Sequence, residues 1–248
     1  MNRDRLSAIA HRNHPVASPL SDSTVEALLQ RVAARDPRRV LDVGCGSAQW
    51  LVRLLELAPT ASGVGVDLST DATTAAVEFA ESRGLSNRVE IRCQDAGQLG
   101  DERYDALLCI GSTHALGGLQ PTLQALHARA LDNATVLLGD GFWEQPPQQA
   151  ALDSLGATTD EFPSYAELAV LVESSGWAPL HIHVSTQTEW DDYEWSWVST
   201  LAGWARRHPD DPDAADAAAF ARQHQEQWLA GYRGTLGFAT IVAEKISG

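Results

Sequence analysis

Cysteine is scarce in this chain of 248 residues, and the three that occur, Cys45, Cys93 and Cys109, stand far apart with no CxxC pair. That spacing excludes a zinc ribbon and a disulfide framework. All three fall in or beside apolar, strand-like runs, where a free thiol is expected to behave as a small buried hydrophobe. Positive charge is the second shortage. Only 18 Lys and Arg stand against 33 Asp and Glu, for a formal net charge of −15. A phosphate backbone demands clustered Lys and Arg, so nucleic acid is not the expected partner. The surplus acid serves either solubility or the attraction of an amine substrate. No apolar run reaches the ~20 residues of a membrane span. The start, Met1-Asn2-Arg3-Asp4-Arg5, leads into no apolar signal core. A cytoplasmic protein without a membrane partner is therefore expected. Metal ligation lacks support as well. His181 and His183 alternate along a strand and share a face, but no third ligand has matching spacing.

What is present is a chain that is 44% hydrophobic and 21% charged, enough apolar material for one α/β domain. Residues 1–20 are polar, end in Pro15 and Pro19, and read as an N-terminal arm. Val25, Leu28, Leu29 and Val32 have helical spacing over residues 22–35. Strands are expected at Arg39–Val43, Gly63–Asp67, Arg88–Arg92, Tyr104–Ile110 and Thr135–Asp140, with helices at Gln49–Leu57, 72–83 and 120–131 between them. A run such as Ala106-Leu107-Leu108-Cys109-Ile110 suits a strand buried on both faces. A helix at 164–176, a strand at Leu180–Ser185 and a strand at Leu236–Ala243 complete the pattern. The alternation implies a Rossmann-like, doubly wound α/β sheet. Between the sixth and seventh strands lie roughly 50 residues, long for a connection in a compact sheet. They are rich in Trp and Tyr and contain two helical stretches, about 189–207 and 213–231. We read them as a helical cap over the carboxyl edge of the sheet. One domain is expected: an arm and helix (1–36), a core (37–185), the cap (186–234) and a last strand (235–248).

The most telling segment is Val40-Leu41-Asp42-Val43-Gly44-Cys45-Gly46-Ser47-Ala48. A strand ends in an acid, bends through glycines and enters a helix. Glycines let a backbone approach a ligand closely, because no Cβ stands in the way. A phosphate cradle would want lysine and free helix N–H groups, whereas a carboxylate at the strand end suits a cation. A dinucleotide fingerprint would also need glycine where Gln49 stands. Ligands of open α/β sheets bind beyond the carboxyl ends of the strands. Asp67 ends the second strand, 21 residues beyond Gly46, where an acid accepts hydrogen bonds from both hydroxyls of a ribose. Asp95, followed by Ala96, comes just after the third strand, and Ile110-Gly111-Ser112 follows the fourth. Each acid alone is also ordinary turn chemistry; three at successive strand ends, beside a glycine turn, form a pattern.

That pattern resembles class I S-adenosylmethionine (SAM) methyltransferases, whose first motif is LDxGCGxG. The resemblance implies a seven-stranded, mostly parallel sheet with the last strand antiparallel. SAM is the implied cofactor and S-adenosyl-L-homocysteine (SAH) its product. The implied contacts run from Asp42, Gly44, Cys45 and Gly46 at the methionine part to Asp67 and Leu68 at the ribose. Asp95 and Ala96 would meet the adenine, and the backbone of Ile110 and Gly111 the methionine end. Ala48 stands where the motif has its third glycine. Further features are similar to a bacterial group of stand-alone, small-molecule enzymes of this superfamily. They are His11-Arg12-Asn13-His14, the stretch from Gly111 to Gly118, Gly139-Asp140-Gly141-Phe142-Trp143, the run from Glu189 to Glu194, and Arg233 with Gly237.

A small-molecule methyl acceptor follows from this likeness. His114, after the fourth strand, is the candidate base, since histidine takes protons near neutral pH; the plain alternative is a turn residue bonded to backbone. His11 and His14 either fold over the pocket or stay solvated. Trp143 and Glu144 after the fifth strand, with Trp190 and Tyr193 opening the cap, are the acceptor-binding candidates, and Phe142 with these rings would make a water-excluding wall. Trp195 and Trp228 look like interior helix positions. Arg233 is expected to pair with Asp191 or Asp192. Two alternatives stay open: a SAM-fold protein that catalyses a cyclisation or rearrangement, and a SAM-binding interaction module whose aromatic cap is a homodimer surface.

Overall fold

The computed structural model describes residues 3–14 and 16–246; Pro15, expected to end the arm, lies outside them. The chain begins with helix α1 (Arg3–Ala10) and helix α2 (Asp22–Ala33). The core then alternates β1 (Arg39–Val43), α3 (Gln49–Leu57), β2 (Ser62–Asp67), α4 (Thr70–Ser82), β3 (Val89–Cys93), β4 (Tyr104–Ile110), α5 (Leu119–Arg129) and β5 (Ala130–Trp143). After α6 (Gln149–Leu155), α7 (Tyr165–Ser174) and β6 (Trp177–Val184) come α8 (Gln187–Arg207), α9 (Ala214–Gln227), a π-turn at Trp228–Tyr232 and β7 (Leu236–Lys245). The sheet has seven strands in the order β3-β2-β1-β4-β5-β7-β6. β1 pairs with β2 and β4, β2 with β3, and β4 with β5, all in parallel; β6 and β7 pair antiparallel. The Rossmann-like topology implied by the sequence is the one the chain adopts.

Local chemistry sets the ends. Ser21 caps α2 by accepting from the Thr24 N–H, and Ser69 caps α4 through Ala72. Thr186 and Glu189 form a reciprocal capping box at the start of α8. Gly84, in the left-handed region at φ +69°, stops the chain after α4. The strand after α5 starts five residues earlier than expected. Leu131, expected as the last residue of the helix, and Asp132-Asn133 after it belong to β5 instead, with Asn133 at φ +61°. A register shift between Tyr104 and Ala106 on β4 absorbs the irregularity. Between β3 and β4 the chain makes only a short 3-10 turn, Ala96–Gln98.

The chain divides into two compact units. The first, Ser21–Asp140 with Ala166–Val184 and Ala239–Gly248, is the core of the sheet with its helices. Its apolar interior runs from Val25, Leu28 and Leu29 of α2 through Leu41 and Val43 to Leu51, Leu54 and Leu55 of α3, all buried. Cys45 and Cys109 are buried as expected; Cys93 is exposed, because β3 is the edge strand and ends there.

The second unit, Met1–Leu20 with Gly141–Tyr165 and Ser185–Phe238, is mostly helical. The segment expected to be a polar arm is helix α1 in part. Its Leu6, Ile9 and Ala10 share one face and bury against Trp197, Leu201 and Trp204 of α8. Trp228 is buried as expected, but Trp195 is 43% exposed and not interior. Arg233 makes the internal pair: Nε and Nη2 donate to the two oxygens of Asp191 at 2.8 and 2.7 Å. Among the described residues no helix is long and apolar enough to cross a membrane.

Candidate functional site

Each candidate cofactor contact lies in the first unit, at the carboxyl ends of β1 to β4. The turn after β1 is built from three consecutive left-handed positions two residues apart: Gly44 at φ +67°, Gly46 at +53° and Ala48 at +56°. Ala48 takes at a cost of about 1 kcal/mol a conformation that glycine adopts freely. The turn is clamped to β2, since the Gly44 and Cys45 N–H groups both donate to the Val66 carbonyl, at 2.9 and 3.0 Å. Cys45 fills the space over Gly65, where a Cβ would lie 2.9 Å from its sulfur. A side chain on Gly44 would overlap the Ser112 side chain, which itself donates to the Gly44 carbonyl at 3.2 Å. Gly46 has open space where its Cβ would be. Gly44→Ala is therefore expected to cost about 3 kcal/mol, from backbone strain plus the clash. Gly46→Ala is expected to cost about 1 kcal/mol, from strain alone. Urea unfolding of the two variants checks the ranking, and equal losses would contradict it.

Asp67 is held by two backbone donors. The Gly46 N–H reaches Oδ2 at 2.9 Å and the Ser69 N–H reaches Oδ1 at 2.9 Å. Each carboxylate oxygen has further acceptor capacity, so a pair of ligand hydroxyls fits here. Asp42 is different. It is 2% exposed, and its Oδ2 is buried with no hydrogen-bond partner. Burial first, and then the charge of Asp67, push its carboxyl up to about 7, against a hydrogen bond from the Leu51 backbone that holds it down. The same surroundings push the Cys45 thiol far up. Asp95 is exposed and accepts from the Gly97 N–H at 2.8 Å, while Ala96 beside it is buried. Leu68, next to Asp67, is 67% exposed. Ile110 is half-buried and ends β4; Gly111, at φ +68°, donates to the Gly139 carbonyl at 2.8 Å.

The donor set tests what the turn can hold. Three of its N–H groups face β2 or Asp67 and none of these is left for a phosphate, while the carboxylates at the strand ends favour a cation carrying a diol. That fits the adenosyl sulfonium of SAM and does not fit a dinucleotide. His114 lies in the short turn Thr113–Leu116, its imidazole exposed and its carbonyl accepting from Gly117. Thr113 Oγ1 donates to Asp140 Oδ2 at 2.7 Å. Nothing in the sequence foreshadows that bond, which joins residues 27 positions apart.

The acceptor-binding candidates lie in the second unit. Four of them form one ring cluster. His11 Nε2 lies 3.2 Å from the Tyr193 hydroxyl, and the His14 ring meets the Tyr193 ring edge-on with centroids 5.3 Å apart. Trp190 stands 6.3 Å from Tyr193 and stacks on Trp228 at 5.5 Å. Trp190 is 7% exposed and its Nε1–H is buried without a partner. Burial pushes the Tyr193 hydroxyl well above the usual phenol range. Trp143 is buried, donates through Nε1 to the Thr159 carbonyl at 2.8 Å and meets Phe162 edge-on; Glu144 is exposed. Phe142 is packed rather than open, 1% exposed against Gly237. The sequence reading missed a buried carboxylate here. Glu194 is 2% exposed and accepts from Tyr232 Oη at 2.8 Å, with His224 Nε2 at 2.6 Å. Its signal was in the sequence: Glu194 is four residues after Trp190 and three before Trp197, on the apolar face of the helix.

Residues 40–132 match the family described as "Methyltransferase domain". The chain is 27% identical over 222 residues to the uncharacterized protein YjhP of Escherichia coli K12, covering 88% of this chain and 89% of that one. It superposes with a TM-score of 0.85 on a SAM-dependent methyltransferase from Geobacter sulfurreducens, solved in complex with SAH, at 25% identity over 97% of this chain and 98% of that one. A SAM-dependent methyltransferase from Thiobacillus denitrificans, also solved with SAH, gives 0.84 at 25% identity, over 99% and 100% of the two chains. With its sheet order, its glycine turn and its acids at the strand ends, the chain has the fold of the class I SAM-dependent methyltransferases and carries a methyltransferase domain over residues 40–132.

Proposed function

We propose that this protein transfers the methyl group of SAM to an oxygen or nitrogen of a small molecule and releases SAH. The observation that carries the reading is the rim at the strand ends, where Asp67 is aimed by the Gly46 and Ser69 N–H groups and Asp42 keeps a buried, unpartnered oxygen. When bound, SAM supplies a methyl carbon made electrophilic by its sulfonium. Asp42, Gly44, Cys45 and Gly46 hold the methionine end; Asp67 and Leu68 hold the ribose; Asp95 and Ala96 hold the adenine. Ile110 and Gly111 line the place of transfer with backbone. His114, exposed in the turn beyond, takes the proton of a hydroxyl acceptor. The assignment of His11, His14, Trp143, Glu144, Trp190 and Tyr193 to acceptor recognition rests on the sequence pattern and, for four of them, on their grouping around Tyr193.

Cys93 gives a direct test. It is exposed, it is the register partner of Asp67, and it precedes Asp95 by two residues. A ligand that spans both acids covers it. Saturating SAM is expected to slow alkylation of Cys93 at least tenfold, with Cys45 and Cys109 unreactive throughout. Calorimetry with SAM and SAH, and SAH release from a metabolite pool, complete the experiment. If neither nucleoside binds, the reading fails; if SAM binds and no SAH is released, methyl transfer is not the activity.

A further inference from the structure

We propose that Asp140 receives the acceptor and that the methylated atom is a nitrogen: the substrate is a small amine, and carboxylate-bearing acceptors are rejected at this place. The inference rests on the methyl-transfer reading above. Its geometric basis is a carboxylate whose direction is set from below by two hydroxyls. Thr122 Oγ1, fully buried, donates to the Thr113 carbonyl at 3.0 Å. Thr113, 6% exposed, donates through Oγ1 to Asp140 Oδ2 at 2.7 Å. Asp140 itself remains half-buried. The strand register places it beside the point of transfer. Ile110 pairs with Gly139, and the Gly111 N–H donates to the Gly139 carbonyl, so Asp140 stands level with Gly111 at the carboxyl edge of the sheet.

The charge of the surroundings agrees. Burial first, and then the charges of Asp42 and Asp140, push up the Cys109 thiol, so both carboxylates act on the same part of the sheet. Asp42, 2% exposed, also keeps the unpartnered Oδ2 that calls for a cationic ligand. The segments 44–48, 67–69, 93–98 and 110–118 carry neither Lys nor Arg. An anionic acceptor would enter against these charges, with no Lys or Arg in those four segments to offset them.

The transfer itself separates nitrogen from oxygen. The lone pair of the acceptor atom forms the new bond to the methyl carbon as the carbon–sulfur bond breaks, and that bond's electron pair stays on sulfur. Positive charge therefore leaves the sulfur and arises on the acceptor. A carboxylate beside a nitrogen stabilises the ammonium as it forms; beside an oxygen it opposes the alkoxide that must attack. An amine that arrives protonated gives its proton to water or to the His114 imidazole before it attacks.

The test titrates SAH-loaded protein by calorimetry with phenethylamine, phenethyl alcohol and 3-phenylpropionate. The amine is expected to bind at least tenfold more tightly than the alcohol, and the carboxylate not at all. Asp140→Asn should remove the preference for the amine while leaving SAH affinity unchanged. Thr113→Val should reduce the preference and Thr113→Ser should restore it, which a merely structural role for Thr113 would not do. Binding of the alcohol or the carboxylate as tightly as the amine overturns the proposal, as does failure of the amine to bind or an unchanged preference in Asp140→Asn. Failure of the wild-type protein to bind SAH sinks the methyl-transfer reading instead, and this proposal with it.

Discussion

Replacing Asp67 with Ala is expected to weaken SAM binding at least a hundredfold, about 2.7 kcal/mol. Two losses add. The carboxylate that would accept both ribose hydroxyls is gone, and hydrogen bonds to a charged acceptor contribute about 1.5–3 kcal/mol. The Gly46 and Ser69 N–H groups also lose their acceptor, so the turn after β1 loses the bond at 2.9 Å that ties it to the end of β2. Asp67→Asn should be nearly as damaging. An amide has one accepting oxygen, and its NH2 would face one of those two backbone donors. Thermal unfolding without ligand separates binding from folding, because the Gly44 and Cys45 bonds to Val66 remain to hold the turn. Calorimetry reads the result. An affinity within threefold of wild type for Asp67→Ala would remove this residue from the cofactor site and, with it, the strongest part of the reading.

The second large effect is on pH. Burial raises the Asp42 carboxyl from its ordinary value of 3.8 to about 7. A group whose pKa is higher in the folded state stabilises the fold at low pH. That contribution is fully present below about pH 3.8 and is lost as the pH rises through 7. The ligand-free protein should therefore lose about 4 kcal/mol of stability from this one group between those limits. Asp42→Asn, which carries no charge at any of these pH values, should flatten the slope and leave the ligand-free protein more stable than wild type at pH 8. Binding of a cation beside Asp42 favours the charged form. SAM should thus bind more tightly as the pH rises towards 7, and its binding at pH 6 should release close to one proton. Calorimetry in two buffers of different ionisation enthalpy counts that proton. Zero release at pH 6, together with an unchanged stability slope in Asp42→Asn, would show that Asp42 is charged in the ligand-free protein.

Much of this site was legible before any coordinates. The apolar run Val40–Val43, the acid within it and the glycines after it form a local pattern, and local patterns follow from the dihedral freedom and hydrogen bonding of adjacent residues. Asp67 and Asp95 were found the same way, as acids at the ends of strand-like runs. Where the reading went astray, pairing or packing over long range had decided. Asp132 and Asn133 read as a connection but are carried into β5, because Ala130 before them and Thr135 after them both pair with β4. Residues 1–20 read as a polar arm, because the apolar face of α1 that meets the tryptophans of α8 is short: among the described residues it is Leu6, Ile9 and Ala10. Cys93 reads as core until the sheet order places β3 at the edge.

From the residues alone came the strand, turn and helix that make the rim, and the sign of the charge it offers a ligand. Both belong to short stretches of chain, in which neighbours in sequence are neighbours in space. Only the folded structure decided which carboxylates act on one another and what state they are in. Asp42 lies on β1 beside Gly65 of β2, it feels the charge of Asp67 and its carboxyl is removed from water, while Asp140 takes its direction from Thr113 and Glu194 is buried between Tyr232 and His224. The reason is dielectric: a carboxylate's proton affinity depends on the water it has lost and the charges it has gained, and both are set by strands and helices distant along the chain.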